Sequence, residues 1–299
     1  MKLGLFVYTA NEHGTNAPRS YESVRATARQ AEADGWDSIW LADHLLYRDA
    51  GEPTHGIWEC WTVLSALAEA TERVEIGPLV LCNSLRHPAI LAKMAVTADE
   101  VSQGRLILGI GAGWNKPEYE AFGVPFDHRV DRLDEALQII RPLLRDGHAD
   151  FTGKYYQVRD CDIEPRGPQP AGPPLMVGGE GPRMHELGAR YADLWNTGYI
   201  GQPESLTEPM RKIEAACEAI GRDPATLGFT AFCCPWFPEF RPEKPGFLDN
   251  PLTGTPREMA DSLHGYAERG VRHVMFQCIP YSKQTVELLT EAVQLYRHN

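Results

Sequence analysis

Eight short apolar runs recur along this chain, each followed by a stretch with helical spacing, and that alternation constrains the fold more than any other feature. The runs are Lys2–Val7, Ser38–Ala42, Val74–Cys82, Arg105–Gly109, Pro174–Val177, Ala192–Thr197, Leu227–Cys233 and Val271–Cys278. Runs this short, bounded by turn residues, suit strands buried on both faces, as in a parallel sheet. Between them, Val130, Leu133, Leu137, Ile140 and Leu144 mark one helix face, and Val286, Leu289, Val293 and Tyr296 mark another. Eight such alternations within 299 residues predict an α/β chain folded as one (β/α)8 TIM barrel, with residues 1–299 forming a single domain. In that architecture function gathers in the loops after the strands.

Local signals refine the expectation. Thr255 reads as an N-cap, with Pro256 at the first helical position, where its missing N–H costs nothing. Pro142 interrupts a helical pattern and predicts a kink or an end nearby. Two insertions break the rhythm, near residues 147–174, with a hairpin-like KYYQVRDCDI, and near 234–253, rich in proline and aromatics. Loops of that size in a compact fold are functional lids or disordered.

Charge narrows the function classes. A formal net charge of −12 and a pI of about 5.3 argue against nucleic acid or an anionic membrane surface as partner. Any phosphate must then be held by local geometry. The seven cysteines show no metal-site spacing, Cys233 and Cys234 being adjacent, so no metal is expected. MKLGLFV has no basic region followed by an apolar one, and no apolar run approaches the roughly 18–20 residues of a membrane span. The expectation is a reduced, cytoplasmic protein.

Four motifs carry chemistry. SIWLADH ends strand two in Asp43 and His44, an imidazole suited to acid–base work with a carboxylate able to set its tautomer or hold a cofactor hydroxyl. A rim histidine held by a hydrogen bond is the plain alternative. VEIGPLVLCN contains Gly77-Pro78, which suits a bulge or bend as well as an ordinary strand irregularity. LGIGAGWN places glycines at 109, 111 and 113, open to close ligand approach or to tight barrel packing. It is not the dinucleotide fingerprint, since Trp114 stands where a glycine is required. LMVGGEGPRMHELGARYAD runs from a strand through Gly178, Gly179, Glu180 and Gly181 into a helix opened by Pro182. Backbone N–H groups at a helix N-terminus form an anion site, so this turn reads as a phosphate cradle rather than a plain connection. Weaker candidates are Trp58, Trp61, Trp114 and Trp236 as pocket aromatics or as packing under loops, His13 and His55 without a nameable metal partner, and Glu59 and Glu118 as pocket carboxylates, each of which reads more readily as a solvated loop charge.

Together these motifs resemble the luciferase-like monooxygenase superfamily, especially its branch using the deazaflavin coenzyme F420. The matching stretches are GWDSIWLADH (35–44), residues 74–123, RVDRLDEALQIIRPLL (129–144) and PPLMVGGEGPRMHELGARYADLWN (173–196). The resemblance implies a ring lying in the barrel mouth, backed by a cis peptide at Leu79–Val80, with Cys82 and Asn83 toward the ring edge. It implies cofactor contacts from Asp43, Gly111, Ala112 and Gly113, and a phosphate at Gly178, Gly179, Glu180 and Gly181. The deazaflavin branch carries Asp-His where flavin-dependent members more often carry Glu-His, so Asp43 favours F420. Trp114 stands where sugar-phosphate dehydrogenases of the branch carry an acid, which speaks against such a substrate. The reading is hydride transfer between F420 and a small organic substrate, with His44 and Asp43 catalytic, in a homodimer. The alternatives are an FMN-dependent monooxygenase using reduced flavin and O2, and a non-catalytic barrel that binds flavin or deazaflavin.

Overall fold

The structure, a computed structural model, describes residues 1–12, 15–48 and 51–298. Eight parallel positions form the barrel. They are β1 (Lys2–Phe6), β2 (Ser38–Leu41), β3 in two pieces (Glu75–Pro78 and Leu81–Cys82), β4 (Leu108–Gly111), β5 (Leu175–Gly178), β6 (Leu194–Ile200), β7 (Gly228–Cys233) and β8 (His273–Phe276). The first piece of β3 pairs with β2 and bridges from Ile76 to Leu106, while the second pairs with β4. Through this change of partner the sheet meets itself, and the expected TIM barrel is closed.

The helices are α1 (Tyr21–Ala33), α2 (Cys60–Ala70), α3 (Pro88–Val101), α4 (Lys116–Phe122), α5 (Arg129–Arg145), α6 (Pro182–Tyr191), α7 (Thr207–Ala219), α8 (Pro256–Glu268) and α9 (Lys283–Arg297). Thr255 caps α8 as expected, in a reciprocal capping box with Glu258. Pro142 is absorbed into the last turn of α5, where Asp146 and Gly147 both donate to its carbonyl. β4 begins later than its apolar run. Arg105, at the start of that run, turns its guanidinium to the carbonyls of Ala68, Thr71 and Val74 at the end of α2.

The insertion near 147–174 holds an antiparallel hairpin, His148–Thr152 with Gln157–Asp162. The one near 234–253 folds back over the barrel, with Leu248 buried against Cys234 and Ile279. A further short hairpin after β2, Leu46–Tyr47 with His55–Gly56, has no counterpart in the sequence reading. Among the described residues no helix is long and apolar enough to cross a membrane, and the seven cysteines are free thiols.

The barrel interior is filled by Phe6, Trp40, Ile107, Met176 and Met275. Trp40 is the largest of them, and two glycines on the flanking strands make its space. A Cβ on Gly4 would stand 2.5 Å from its Nε1, and one on Gly77 would stand 2.6 Å from its Cζ3. Below it, Trp40 Nε1 donates to Ser38 Oγ at 2.7 Å, and Ser38 Oγ lies 2.7 Å from His273 Nε2. Burial, helped by the nearby positive Lys2 and N-terminus, pushes the His273 pKa down to about 3.

Two outcomes follow from this packing. Gly77→Ala places a methyl 2.6 Å from both the Ile107 carbonyl and the Trp40 ring, so denaturant unfolding should show a loss of about 1–3 kcal/mol, the usual cost of overpacking. His273 is neutral in the folded barrel and protonates near pH 6.5 once unfolded, so its contribution is fully present above about pH 6.5. As pH falls from there toward 3, the unfolded chain binds the extra proton and stability declines, by at most about 1.4 kcal/mol per pH unit. Unfolding free energies measured from pH 7 to 4 should fall more steeply in the parent than in His273→Asn.

Candidate active site

The loops after the strands enclose a cavity of about 650 Å³, within the range of small-molecule and cofactor sites. Asp43, His44, Leu79, Val80, Cys82, Gly111, Ala112, Gly113, Gly178, Gly179 and Glu180 all line it. Two expected members do not. Asn83 is fully buried and turned away, its Nδ2 donating to Tyr156 Oη of the 148–162 hairpin. Gly181 stands one step beyond the lining, at the N-cap of α6.

His44 sits at the tip of β2 with its ring 4.7 Å from Tyr47 and 5.3 Å from Trp114, centroid to centroid. Its Nδ1 lies 3.1 and 3.2 Å from the two carboxylate oxygens of Glu118. Glu118 is fully buried and also accepts the Leu45 N–H at 2.9 Å. This corrects the reading of Glu118 as a solvated loop charge. Helix α4 follows β4 after a short loop, and Asn115 Nδ2 anchors that loop to the Leu46 carbonyl at 2.7 Å. The tie brings Glu118 under His44 although 74 positions separate them in the chain.

Asp43 is not the partner of that imidazole. Its carboxylate accepts two bonds from Arg86, at 2.8 and 2.9 Å, and a third from the Cys82 N–H at 2.8 Å. Arg86 reaches Glu59 as well, and Glu59 in turn caps α2 through the N–H groups of Trp61 and Thr62. Burial works against the Arg86 charge, but the two carboxylates beside it hold its pKa above the ordinary value. Half-burial likewise opposes the Glu59 charge, and the bonds from Thr62, Trp61 and Arg86 prevail and hold its carboxyl below the usual range. Glu59 is therefore a structural ion, and Arg86 is a residue the sequence reading missed. Its only signal was a cation four positions after Cys82 in a chain with few cations to spare.

The cavity wall is formed by Leu79 and Val80, and the peptide bond between them is cis, as the resemblance implies. Val80 answers the question left open by the strand-four glycines. A Cβ on Gly109 would lie 3.3 Å from Val80, one on Gly111 2.8 Å, and one on Gly178 3.1 Å. Val80 takes the room at Gly111 and Gly178, while that at Gly109 is filled chiefly by the Pro78 carbonyl and Met176, so tight packing explains them. Gly113 adopts a φ of +79°, and its missing Cβ would strike Tyr119 Oη and Cys82 Sγ. Those two atoms are 2.9 Å apart, and burial pushes the Cys82 thiol up to about 11.

At the far end the chain turns through Gly179 (φ +143°) and Gly181 (φ +100°) into α6, whose N-terminus has no side-chain cap. Glu180 Oε1 accepts from Thr197 Oγ1 at 2.8 Å, which holds this carboxylate against β6. Arg129, the first residue of α5, is the single Lys or Arg among the described lining residues. It donates to the Gly113 carbonyl at 3.1 Å and lies 3.7 Å over the Phe126 ring. Tyr199, Phe232 and Phe247 line the mouth, and of the four candidate tryptophans (58, 61, 114 and 236) only Trp114 does. Trp61 is buried in the core, Trp58 donates to the Arg19 carbonyl and Trp236 to that of Arg241. His55 lies in the short hairpin near Tyr47, and His13 falls outside the described residues.

Known proteins share this architecture. Residues 1–237 match the luciferase-like monooxygenase family model. The pyrimidine monooxygenase RutA of Escherichia coli (strain K12) is 31% identical over 242 residues, which cover 75% of this chain and 61% of that protein. The chain thus spans about three-fifths of the length of this relative. An F420-dependent secondary alcohol dehydrogenase, solved with an F420-acetone adduct, superposes with a TM-score of 0.80 at 21% identity over 99% of both chains. The riboflavin lyase RcaE, solved with modified FMN and riboflavin, gives a TM-score of 0.81 at 19% identity, covering 100% of this chain and 91% of its own. At such identities the two structures speak for the fold. With its barrel closed through a divided third strand and the family pattern running through residues 1–237, this chain belongs to the luciferase-like monooxygenase family.

Proposed function

We propose that the chain is an oxidoreductase that holds an isoalloxazine-type cofactor, FMN or F420, in the barrel mouth and acts there on a small organic molecule. The observation that carries this reading is the pairing of His44 with buried Glu118 on the edge of a cavity walled largely by apolar and aromatic side chains. The residues present fit such a group. Leu79 and Val80 offer a flat apolar wall for a ring, and the uncapped N-terminus of α6 with Arg129 offers an anion site for a phosphate. When bound, the cofactor supplies hydride or reduced-flavin oxygen chemistry.

The chain's own residues supply the proton and the apolar surroundings. Glu118 accepts from Nδ1 of His44, which leaves Nε2, without a protein partner among the described residues, to give or take a proton in the cavity. Asp43 acts at a distance from the imidazole. With Arg86 it clamps the Cys82 N–H and so fixes the strand that carries Leu79 and Val80. Trp114, Tyr47 and Phe247 give the mouth an apolar rim on which a ring can pack.

Two cofactor readings stand on different observations. A histidine backed by a carboxylate suits the proton exchange that accompanies hydride transfer to or from a carbonyl, the F420 reading. RutA, at 31% identity, is a monooxygenase, which favours FMN. Because Asp43 is engaged by Arg86, its residue type does not choose between them. Titration of the purified protein with FMN and with F420, followed by absorbance or fluorescence, should show saturable binding of one at lower concentration. O2 consumption during turnover marks the FMN reading, and turnover without it marks the other. Binding of neither would refute the proposal.

His44→Ala should lower kcat by roughly 10²–10⁴-fold, the usual contribution of a general acid or base, while cofactor affinity changes little. Glu118→Gln should lower kcat less, since the imidazole keeps its place and loses its charged partner. A His44→Ala protein turning over at the parental rate would assign the proton to another group.

A further inference from the structure

Asn196, on β6, lines the cavity at only 5% exposure, and its amide has a fixed sense. Thr230 Oγ1 points its single proton toward the Trp195 carbonyl at 3.0 Å and the Met176 sulfur at 3.6 Å. Toward Asn196 it can therefore only accept, and it takes a bond from Nδ2 at 3.0 Å. The same nitrogen points at the Met275 sulfur at 3.8 Å. The amide thus buries its nitrogen in the barrel. Its Oδ1 has no protein partner among the described residues and is not one of the unpaired oxygens sealed in the core. It is a carbonyl acceptor, oriented from behind and open only to the cavity, and such an atom calls for a donor on the occupant.

Its place says which donor. Asn196 pairs with Gly178 across β5 and β6. The Cβ position of Gly178 is 3.1 Å from Val80 Cγ1 and 3.6 Å from Asn196 Cβ. Asn196 thus stands between the Val80 wall and the Gly178–Gly181 turn. On the reading proposed above, on which this inference rests, a ring lies on Val80 and a phosphate at the turn, so the chain joining them passes Asn196. We propose that Asn196 Oδ1 accepts a hydrogen bond from a hydroxyl of the polyol chain that links ring to phosphate, with Thr230 as the positioning residue that keeps the oxygen outward.

Three flavins separate the parts: lumiflavin has the ring alone, riboflavin adds the polyol chain, and FMN adds the phosphate. Equilibrium titration should show the parent binding riboflavin more tightly than lumiflavin. Asn196→Leu should weaken riboflavin and FMN alike by about three- to ten-fold, the worth of one neutral hydrogen bond, and leave lumiflavin unchanged. Asn196→Asp, which keeps an acceptor, should retain the riboflavin preference. Thr230→Val, which frees the amide to turn, should lose part of it and carries the test if Asn196→Leu does not fold. Where F420 is the ligand selected, the deazaflavin ring with and without its ribityl chain gives the same comparison. Equal weakening of all three flavins, or no change in any, overturns the inference while the cofactor reading stands. A parent protein that binds no flavin and no F420 overturns both.

Discussion

The third strand serves two neighbours in turn, and most of the molecule depends on that division. Glu75–Pro78 completes the sheet beside β2, Leu81–Cys82 completes it beside β4, and Leu79 and Val80 between them are set on the cavity side. A strand leaving its partner must have its loosened backbone groups taken up elsewhere, or buried amides are left unpaired. The structure supplies those partners. The Leu79 N–H bonds to the Leu41 carbonyl, and the Cys82 N–H bonds to Asp43. Because Asp43 is itself held by Arg86, and Arg86 by Glu59, this ionic chain ties the tips of β2 and β3 to the start of α2.

That chain also explains how a strongly acidic protein keeps the acids of its cavity in check. Asp43 is matched by Arg86, Glu118 by His44 and a backbone N–H, and Glu180 by Thr197. A buried carboxylate without such partners is costly enough that it protonates instead. With these acids engaged within the protein, the surface left to an occupant is aromatic and aliphatic. Its polar features include the His44 ring, the Asn196 amide, Arg129, Gln277 and the turn into α6. Pockets of this kind bind through apolar contact and orient through a small number of placed groups.

The reach of the sequence is clear when particular elements are compared. The eight runs became eight strand positions because alternation and buried apolar content are local properties, and barrel closure follows from their number. Thr255 and Pro256 were legible because a helix cap is written within four residues. The position of β4 was misjudged because Arg105 is claimed by the end of α2, a contact no window of sequence contains. The 46–56 hairpin was missed for a related reason, since two-residue strands carry no periodicity to read.

The Leu79–Val80 wall was legible only through the family resemblance; by its residues alone the sequence determined the barrel, the mouth at the strand tips, and the presence there of His44 and the glycine turn before α6. These are written in short stretches whose residue types dictate local geometry. Tertiary structure alone decided how the charges are shared. It gave His44 to Glu118 and Asp43 to Arg86, moved Asn83 out of the cavity, filled the space above Gly111 with Val80 and that above Gly109 with the Pro78 carbonyl and Met176, and turned the Asn196 oxygen inward. Hydrogen-bond and ion-pair partners are chosen by proximity after folding, between residues tens of positions apart, and adjacency along the chain carries no record of that choice.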